Sequence, residues 1–161
     1  MKRIALVAHD SRKEELLEWV KYNKKVLMEH ELYATGTTGG MIERKVFTVA
    51  SEMNPEFRTI SLTVEKEINK LLSGPLGGDA QIGAMIAEGK IDCLVFFCDN
   101  LIVQGHNSDI MGLTRLASLY NVAFATNRTT ADMIISSPLF NDNEYETITP
   151  GCIEKYASRM V

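Results

Sequence analysis

The sequence predicts an α/β fold in three layers, with a doubly wound, mostly parallel five-stranded sheet between two layers of helices. Strand-like and helical segments alternate along the chain, which is the pattern of a parallel sheet built from strand–helix–strand units. Two strand segments, Ile4 to Ala8 and Ile91 to Phe97, are almost wholly apolar, as expected where helices cover both faces. With 161 residues and no repeat or low-complexity segment, we expect one domain over residues 1–161.

The first strand, Ile4 to Ala8, leads into a helix. Ser11 and Glu14 have the spacing of a capping box at a helix start. The apolar residues that follow fall on one helical face, namely Leu16, Leu17, Val20 and Leu27. A second strand is predicted over residues 31–34, and it runs into a glycine-rich turn at residues 35–40. A helix is predicted to start after this turn, at Met41 and Ile42.

The period of the pattern changes between Val46 and Val64. Apolar and polar residues alternate at the end of this segment, residues 46–50 are also strand-like, and Asn54-Pro55 is a turn signal between the two. We therefore predict a hairpin-like insertion near residues 46–64. Residues 65–71 are predicted to form one or two helical turns, although Leu71 and Leu72 can also be interpreted as the end of a short strand.

The second half of the chain returns to regular alternation. Helices are predicted at residues 80–88, 109–120 and 129–135 and after Pro150, and strands at residues 91–97 and 122–126. A loop over residues 98–108 separates the strand at 91–97 from the next helix.

A glycine-rich stretch, residues 72–84, joins a strand end to the helix at residue 80. Gly74, Pro75, Gly77 and Gly78 form its turn, and a backbone with so few side chains can bring its N–H groups to an anionic ligand at a helix N-terminus. Asp79 then stands at the helix start. It is either a helix cap, which is the common role of Asp there, or a base beside a bound phosphate.

Composition excludes several classes of function. The formal net charge is −4 and no basic stripe interleaves with aromatic residues, so a nucleic-acid partner is not expected. The first apolar run is too short for a signal peptide or a membrane span, which favours a cytoplasmic protein without a membrane partner. Cys93, Cys98 and Cys152 fit neither a disulfide framework nor zinc spacing, and we interpret them as reduced, mostly buried thiols.

Four loops are expected to converge at the carboxyl ends of the parallel strands, where such sheets bind ligands. They contribute donors suited to a phosphoryl group, namely Lys13, Thr35, Thr37, Thr38, Ser73 and the Gly74 amide. They also contribute groups that can transfer protons, namely Asp79, Asp99, Asp109, His9 and His106. With no metal motif and no dinucleotide fingerprint, the set predicts proton abstraction from a small phosphorylated substrate.

Each of these residues also has a plainer structural interpretation. Thr37 and Thr38 could be turn and capping residues, and His9 could be a structural imidazole. Asp99 and Asp109 are ordinary at a strand end and a helix start. The functional hypothesis depends on their convergence, not on any single residue.

The ordered motifs resemble the methylglyoxal synthase family over most of the chain. They are Val7-Ala8-His9-Asp10 with Lys13, residues 33–39, Ser73-Gly74-Pro75-Leu76-Gly77-Gly78-Asp79, residues 88–92, Phe96-Phe97 before Asp99, and Ala125-Thr126-Asn127. The resemblance implies a cofactor-free lyase that converts dihydroxyacetone phosphate to methylglyoxal and inorganic phosphate through an enediolate. Inorganic phosphate is then a product and a candidate inhibitor, and a homo-oligomer is expected.

The resemblance also implies a role for each matching position. Asp79 would be the general base and His106 a proton shuttle, with Asp99 and Asp109 near it. Substrate would be bound by His9, Lys13, Thr35, Gly36, Thr37, Thr38, Ser73, Gly74 and His106. Arg115 and Arg159 match positions that the family uses around the site or between subunits.

The chain departs from the family pattern in two places. The hairpin-like insertion lengthens the segment between Gly40 and Leu71. The loop over residues 98–109 reads Cys98-Asp99-Asn100 and Gly105-His106-Asn107-Ser108-Asp109, without the family's prolines, so a looser loop is expected. The alternative to catalysis is a non-catalytic domain of the same fold that senses phosphate or a phosphometabolite.

Overall fold

The computed structural model describes residues 1–54, 59–102, 105 and 107–160. Pro55 of the predicted turn and the candidate shuttle His106 lie outside the described residues. The strands are β1 (Arg3–Ala8), β2 (Glu31–Thr35), β3 (Thr48–Asn54), β4 (Thr59–Val64), β5 (Asn69–Leu71), β6 (Cys93–Phe97) and β7 (Ala123–Ala125). The α-helices are α1 (Lys13–Tyr22), α2 (Lys24–Leu27), α3 (Gly36–Ile42), α4 (Gly78–Ala87), α5 (Asn107–Leu119), α6 (Arg128–Ser136), α7 (Pro138–Asn141) and α8 (Gly151–Ala157).

The central sheet has the order β5-β2-β1-β6-β7, and every neighbouring pair in it is parallel. Side chains from α1, α3 and α6 pack against one face, where Trp19 and Phe97 are fully buried. Side chains from α4 and α5 cover the other face around Ile82 and Phe96. The predicted three-layer, five-stranded α/β architecture is therefore confirmed.

The insertion is a two-stranded antiparallel sheet formed by β3 and β4. The residues just before β3 and just after β4 are joined by a hydrogen bond from the Glu65 amide to the Phe47 carbonyl at 2.7 Å. Leu62 and Val64 on β4 are exposed, and Lys24 forms an ion pair with Glu65 at its base. The hairpin predicted near residues 46–64 is present, and its two strands pair with each other and not with the central sheet.

The prediction of helical turns at residues 65–71 is wrong. Residues 69–71 form the edge strand β5, paired in register with β2 from Tyr33–Asn69 to Thr35–Leu71. Glu43 fixes the approach to this strand, because its carboxylate accepts from the Ile68 amide and from the Lys70 ammonium. Pairing with β2 therefore outweighs the weak local preference of this short segment for a helix.

The helix predicted to start at Met41 starts five residues earlier, at Gly36. Glycine has a low helix propensity, but here it allows close packing, because a Cβ at Gly36 would lie 2.9 Å from the Leu71 carbonyl oxygen. Thr37 and Thr38 consequently lie in the first turn of α3. Within the described part of the chain, no helix is long and apolar enough to cross a membrane.

Candidate active site

A cavity of about 590 Å³ lies at the carboxyl ends of the central strands. It brings together most of the candidate residues, which arrive from four different loops. Those that line it are His9, Lys13, Thr35, Thr37, Thr38, Ser73, Gly74, Asp79 and Asp109. The candidates Gly36 and Asp99 are not part of its lining, and His106 lies outside the residues that the structure describes.

The buried polar side chains concentrate in this cavity. Among the described residues, the buried polar or charged ones are His9, His30, Thr35, Thr38 and Asp79. All of them except His30 line the cavity. Because burying a polar group away from water costs free energy, this concentration marks the cavity as a functional site.

Lys13 stands at the mouth of the cavity, at the first position of α1. Its ammonium donates to Thr37 Oγ1 at 3.0 Å and to the Asp10 carboxylate at 2.5 Å. The hydrogen bond and charge of Lys13 hold the pKa of Asp10 below its ordinary value. A cation at a helix N-terminus is opposed by the helix dipole, so this placement is better explained by an anionic ligand than by helix stability.

The threonines come from the end of β2 and the first turn of α3. Thr38 is fully buried, and its hydroxyl lies 3.4 Å from that of Thr35. First-turn amides of a helix have no carbonyl partner within the helix. The Gly36 amide is taken up by the Leu72 carbonyl at 3.2 Å, so Gly36 holds this turn against the next loop instead of lining the cavity.

Asp79 is the second residue of α4 and is only 2% exposed. The cap position of this helix is Gly77, which has a left-handed backbone with φ of 102°. Gly78 follows, and a Cβ there would lie 2.1 Å from the Leu72 carbonyl oxygen. Asp79 is thus not the cap residue. Two glycines instead bring its carboxylate into the cavity at the positive end of the helix dipole.

His9 follows β1 and is held from two sides. The Asp99 amide donates to His9 Nδ1 at 2.8 Å, and the imidazole and the Phe96 ring make a T-shaped contact with a centroid separation of 5.1 Å. Phe96 also lines the cavity. From the sequence, Phe96 belongs to the Phe96-Phe97 motif but is not named as a site residue. Phe96 and Phe97 pack on opposite faces of β6, and the position of Phe96 near the carboxyl end of that strand is the signal that could have pointed to it.

Ser11 does not form the predicted capping box. It lies in a 3-10 turn, Asp10–Arg12, and the cap position of α1 is Arg12, which makes no side-chain cap bond. The Ser11 hydroxyl instead donates to the Asp99 carboxylate at 2.5 Å. This contact spans 88 residues of sequence, so no local pattern could have revealed it.

Asp109 is exposed in the first turn of α5 and lines the rim of the cavity with Gly105 and Ser108. The two candidate carboxylates that line the cavity therefore differ in setting, since Asp79 is buried and Asp109 is exposed. A buried carboxylate is the better base for a substrate enclosed away from water.

The cysteines offer no nucleophile to this site. Burial raises the pKa of Cys93 to about 12 and that of Cys98 to about 11, so both remain thiols at neutral pH. The thiols were expected to be mostly buried; Cys93 is buried, Cys98 is half-buried and Cys152 is exposed. No cluster of His, Cys, Asp or Glu that could hold a metal ion lies among the described residues.

Comparisons with known proteins agree on one family. The family model described as MGS-like domain matches residues 15–126. A methylglyoxal synthase from Maridesulfovibrio salexigens is 49% identical over 140 residues, covering 87% of this chain and 86% of that protein. One from Coxiella burnetii is 44% identical over 161 residues, covering 100% and 99%. The crystal structure of the methylglyoxal synthase from Elizabethkingia anophelis is 40% identical, with a TM-score of 0.76 and coverage of 92% and 86%.

Proposed function

We propose that this chain, which belongs to the methylglyoxal synthase family, converts dihydroxyacetone phosphate into methylglyoxal and inorganic phosphate, with Asp79 as the general base. The observation that carries the proposal is the buried Asp79 carboxylate in the same cavity as Lys13 and Thr37. Phosphate donors beside a buried base are what a phosphate-eliminating lyase requires.

The chemistry decides which proton the base removes. Removal of a proton from the hydroxymethyl carbon gives an enediolate formed by this carbon and the carbonyl carbon. The phosphate ester remains on the third carbon, which is bonded to the former carbonyl carbon. The hydroxyl on the former hydroxymethyl carbon then loses its proton and becomes the aldehyde carbonyl, while the C–O bond to phosphate breaks. Of the two protons removed, one is returned to the resulting CH₂ group, which gives methylglyoxal, and the other goes to the departing phosphate, so atoms balance without water, metal or redox cofactor.

Phosphate loss also sets a geometric requirement. The breaking C–O bond must stand roughly perpendicular to the enediolate plane, so the protein must fix a torsion as well as a charge. Lys13 and the first turn of α3 would bind the phosphate from one side, and Ser73 and Gly74 would bind it from the other. Phosphate binding from two sides restricts rotation about the C–C bond that joins the phosphate-bearing carbon to the enediolate, and this is the torsion that sets the direction of the C–O bond.

The developing oxyanion needs hydrogen-bond donors of its own. His9 is buried and lines the same cavity as Asp79, and it is suited to donate to a substrate oxygen. We assign the movement of protons between substrate oxygens to His106, on the family resemblance. Asp109 at the rim would assist this step.

A sensing domain without catalysis is the weaker alternative. It requires no buried carboxylate beside the phosphate donors, yet Asp79 is there. The Coxiella burnetii relative, which is matched over almost its whole length, carries the name of an enzyme. We further propose that inorganic phosphate inhibits the enzyme, and that the protein is a cytoplasmic homo-oligomer.

The direct test is to incubate the purified protein with dihydroxyacetone phosphate and to measure methylglyoxal and phosphate together. We expect the two products in equal amounts and no formation of glyceraldehyde phosphate. Phosphate binding detected by calorimetry without any turnover would contradict the lyase proposal and favour the sensing domain.

A further inference from the structure

His9 is held in one tautomeric form by the backbone of the loop after β6. The Asp99 amide can only donate, so His9 Nδ1, 2.8 Å away, must be the acceptor. The neutral imidazole then carries its proton on Nε2. Nε2 is buried and has no hydrogen-bond partner among the described residues, while His9, only 8% exposed as a residue, lines the cavity. An N–H donor is therefore reserved for a ligand.

The Asp99 amide is itself fixed by the carboxylate of the same residue. Asp99 Oδ2 accepts from the Ser11 hydroxyl at 2.5 Å, and Oδ1 accepts from the Leu101 amide at 3.0 Å. Ser11 lies two residues after His9, and the His9 amide donates to the Phe97 carbonyl at 3.2 Å. These contacts close a ring from His9 through Ser11 to Asp99 and back to the imidazole.

The Asp99 carboxylate is already engaged on both oxygens. The Ser11 hydroxyl and, to a lesser degree, the Leu101 amide hold the pKa of Asp99 below its ordinary value. The side chain does not line the cavity. It is therefore placed to hold the loop and not to exchange protons with a substrate.

We propose that Ser11 and Asp99 are positioning residues that hold His9 with Nδ1 unprotonated and Nε2–H directed to the substrate. The inference rests on the proposed function, since it names how that site presents one of its donors. The opposite tautomer would turn a lone pair toward an anionic substrate and its enediolate, which would weaken both binding and the stabilisation of the oxyanion. A Ser11 variant should therefore change the imidazole as well as the rate.

The first measurement reads the tautomer directly. Nitrogen-15 NMR of the ligand-free protein labelled at its three histidines distinguishes the protonated from the unprotonated ring nitrogen, and His9→Gln identifies the His9 signals. We expect His9 with Nε2 protonated in the wild type and a mixture of tautomers in Ser11→Ala. The Nδ1–H form in the wild type would overturn the proposal, whether or not the protein turns over substrate.

The second measurement is kinetic. We expect kcat to fall roughly three- to tenfold in Ser11→Ala, the effect of one hydrogen bond, and to recover in Ser11→Thr, which keeps the hydroxyl. Ser136→Ala is the matched control, because its hydroxyl bonds the Met133 carbonyl on α6, and it should leave kcat unchanged. A Ser11→Ala protein with wild-type kcat, or with reduced kcat but an unchanged imidazole spectrum, would overturn the proposal.

Asp99→Asn separates positioning from proton transfer. The variant keeps the backbone amide and an oxygen that accepts from Ser11, so we expect a loss of about threefold in kcat and the same His9 tautomer. A loss of roughly 10²- to 10⁴-fold would mean that Asp99 transfers protons itself, which contradicts the proposal. If the wild type shows no turnover at all, the proposed function fails, and the tautomer measurement still decides the role of Ser11.

Discussion

Lys13 Nζ and Thr37 Oγ1 lie 3.0 Å apart and join the first turn of α1 to the first turn of α3 across the mouth of the cavity. The same ammonium also holds Asp10, whose side chain is 94% exposed. An exposed ion pair contributes little to stability, so its partner can be exchanged for a phosphate at low cost. We therefore expect Lys13 to exchange Asp10 for a bound phosphate.

Lys13→Met should weaken phosphate binding. A charge-assisted hydrogen bond contributes ~1.5–3 kcal/mol, so we expect the Kd for inorganic phosphate and the KM to rise about 10- to 150-fold. The fold should be unaffected. Lys21→Met is the matched control, since Lys21 is exposed in the last turn of the same helix. Equal phosphate affinities in the two variants would show that Lys13 does not bind phosphate.

Gly78→Ala should damage both stability and the phosphate loop. Its Cβ would lie 2.1 Å from the Leu72 carbonyl oxygen, which forces the loop before Ser73 to move. We expect a loss of about 1–3 kcal/mol in the free energy of unfolding in urea. Gly112→Ala on α5 should instead gain up to ~1 kcal/mol, because that Cβ meets nothing within 4 Å. Equal changes in the free energy of unfolding for Gly78→Ala and Gly112→Ala would contradict the close approach at Gly78.

His30 should make stability depend on pH near neutrality. Burial lowers the pKa of His30, and its Nδ1 accepts from the Lys2 amide at 3.2 Å. The folded state therefore favours the neutral imidazole, so its stabilising effect is complete above the unfolded pKa of about 6.5. It is lost as the pH falls below that value towards the lower pKa of the folded state.

The measurement is the urea midpoint between pH 8 and pH 5 for the wild type and His30→Gln. Glutamine can accept from the Lys2 amide but does not titrate, so the variant should show a flatter profile over this range. Carboxylates such as Asp92, whose pKa is lowered by hydrogen bonds from Arg3 that outweigh its burial, act only at more acidic pH. Parallel profiles in the two proteins would exclude His30 as the cause.

The β3–β4 hairpin should be dispensable for the site. Its strands pair with each other, and Thr48 lies opposite Val64 in the register. Replacing residues 49–63 with Asn-Gly would join these two positions by a two-residue turn. We expect the free energy of unfolding to change by less than about 1 kcal/mol and KM to stay within about twofold. A large loss of turnover would show that the hairpin supports the active site.

The sequence predicted those parts of the fold that depend on continuous apolar patterns. The strands at β1 and β6 and the helix at α4 are defined by their own side chains, so local periodicity identified them. The sequence of β5 allowed two interpretations, helical turns or the end of a short strand, because it is a short edge strand and pairing with β2 decides its conformation. The early start of α3 was missed for a related reason, since close packing at Gly36 compensates for poor helix propensity.

The candidate site was predictable because the carboxyl ends of parallel strands meet at one edge of the sheet. That rule assembled His9, Thr35 and Ser73 without any knowledge of distances. It could not separate residues that line the cavity from those that hold them. Asp99 follows a central strand like the others, yet its carboxylate turns to Ser11, and only the three-dimensional contact shows this.

Asp79→Asn tests the central claim most directly. The substitution keeps the size of a residue that is 2% exposed but removes its basicity. We expect kcat to fall roughly 10²- to 10⁴-fold, the usual contribution of a general base, while the Kd for inorganic phosphate measured by calorimetry stays close to that of the wild type. Because Gly77 occupies the cap position of α4, the substitution removes no helix cap, and a variant that keeps wild-type turnover would contradict the assignment of Asp79 as the base.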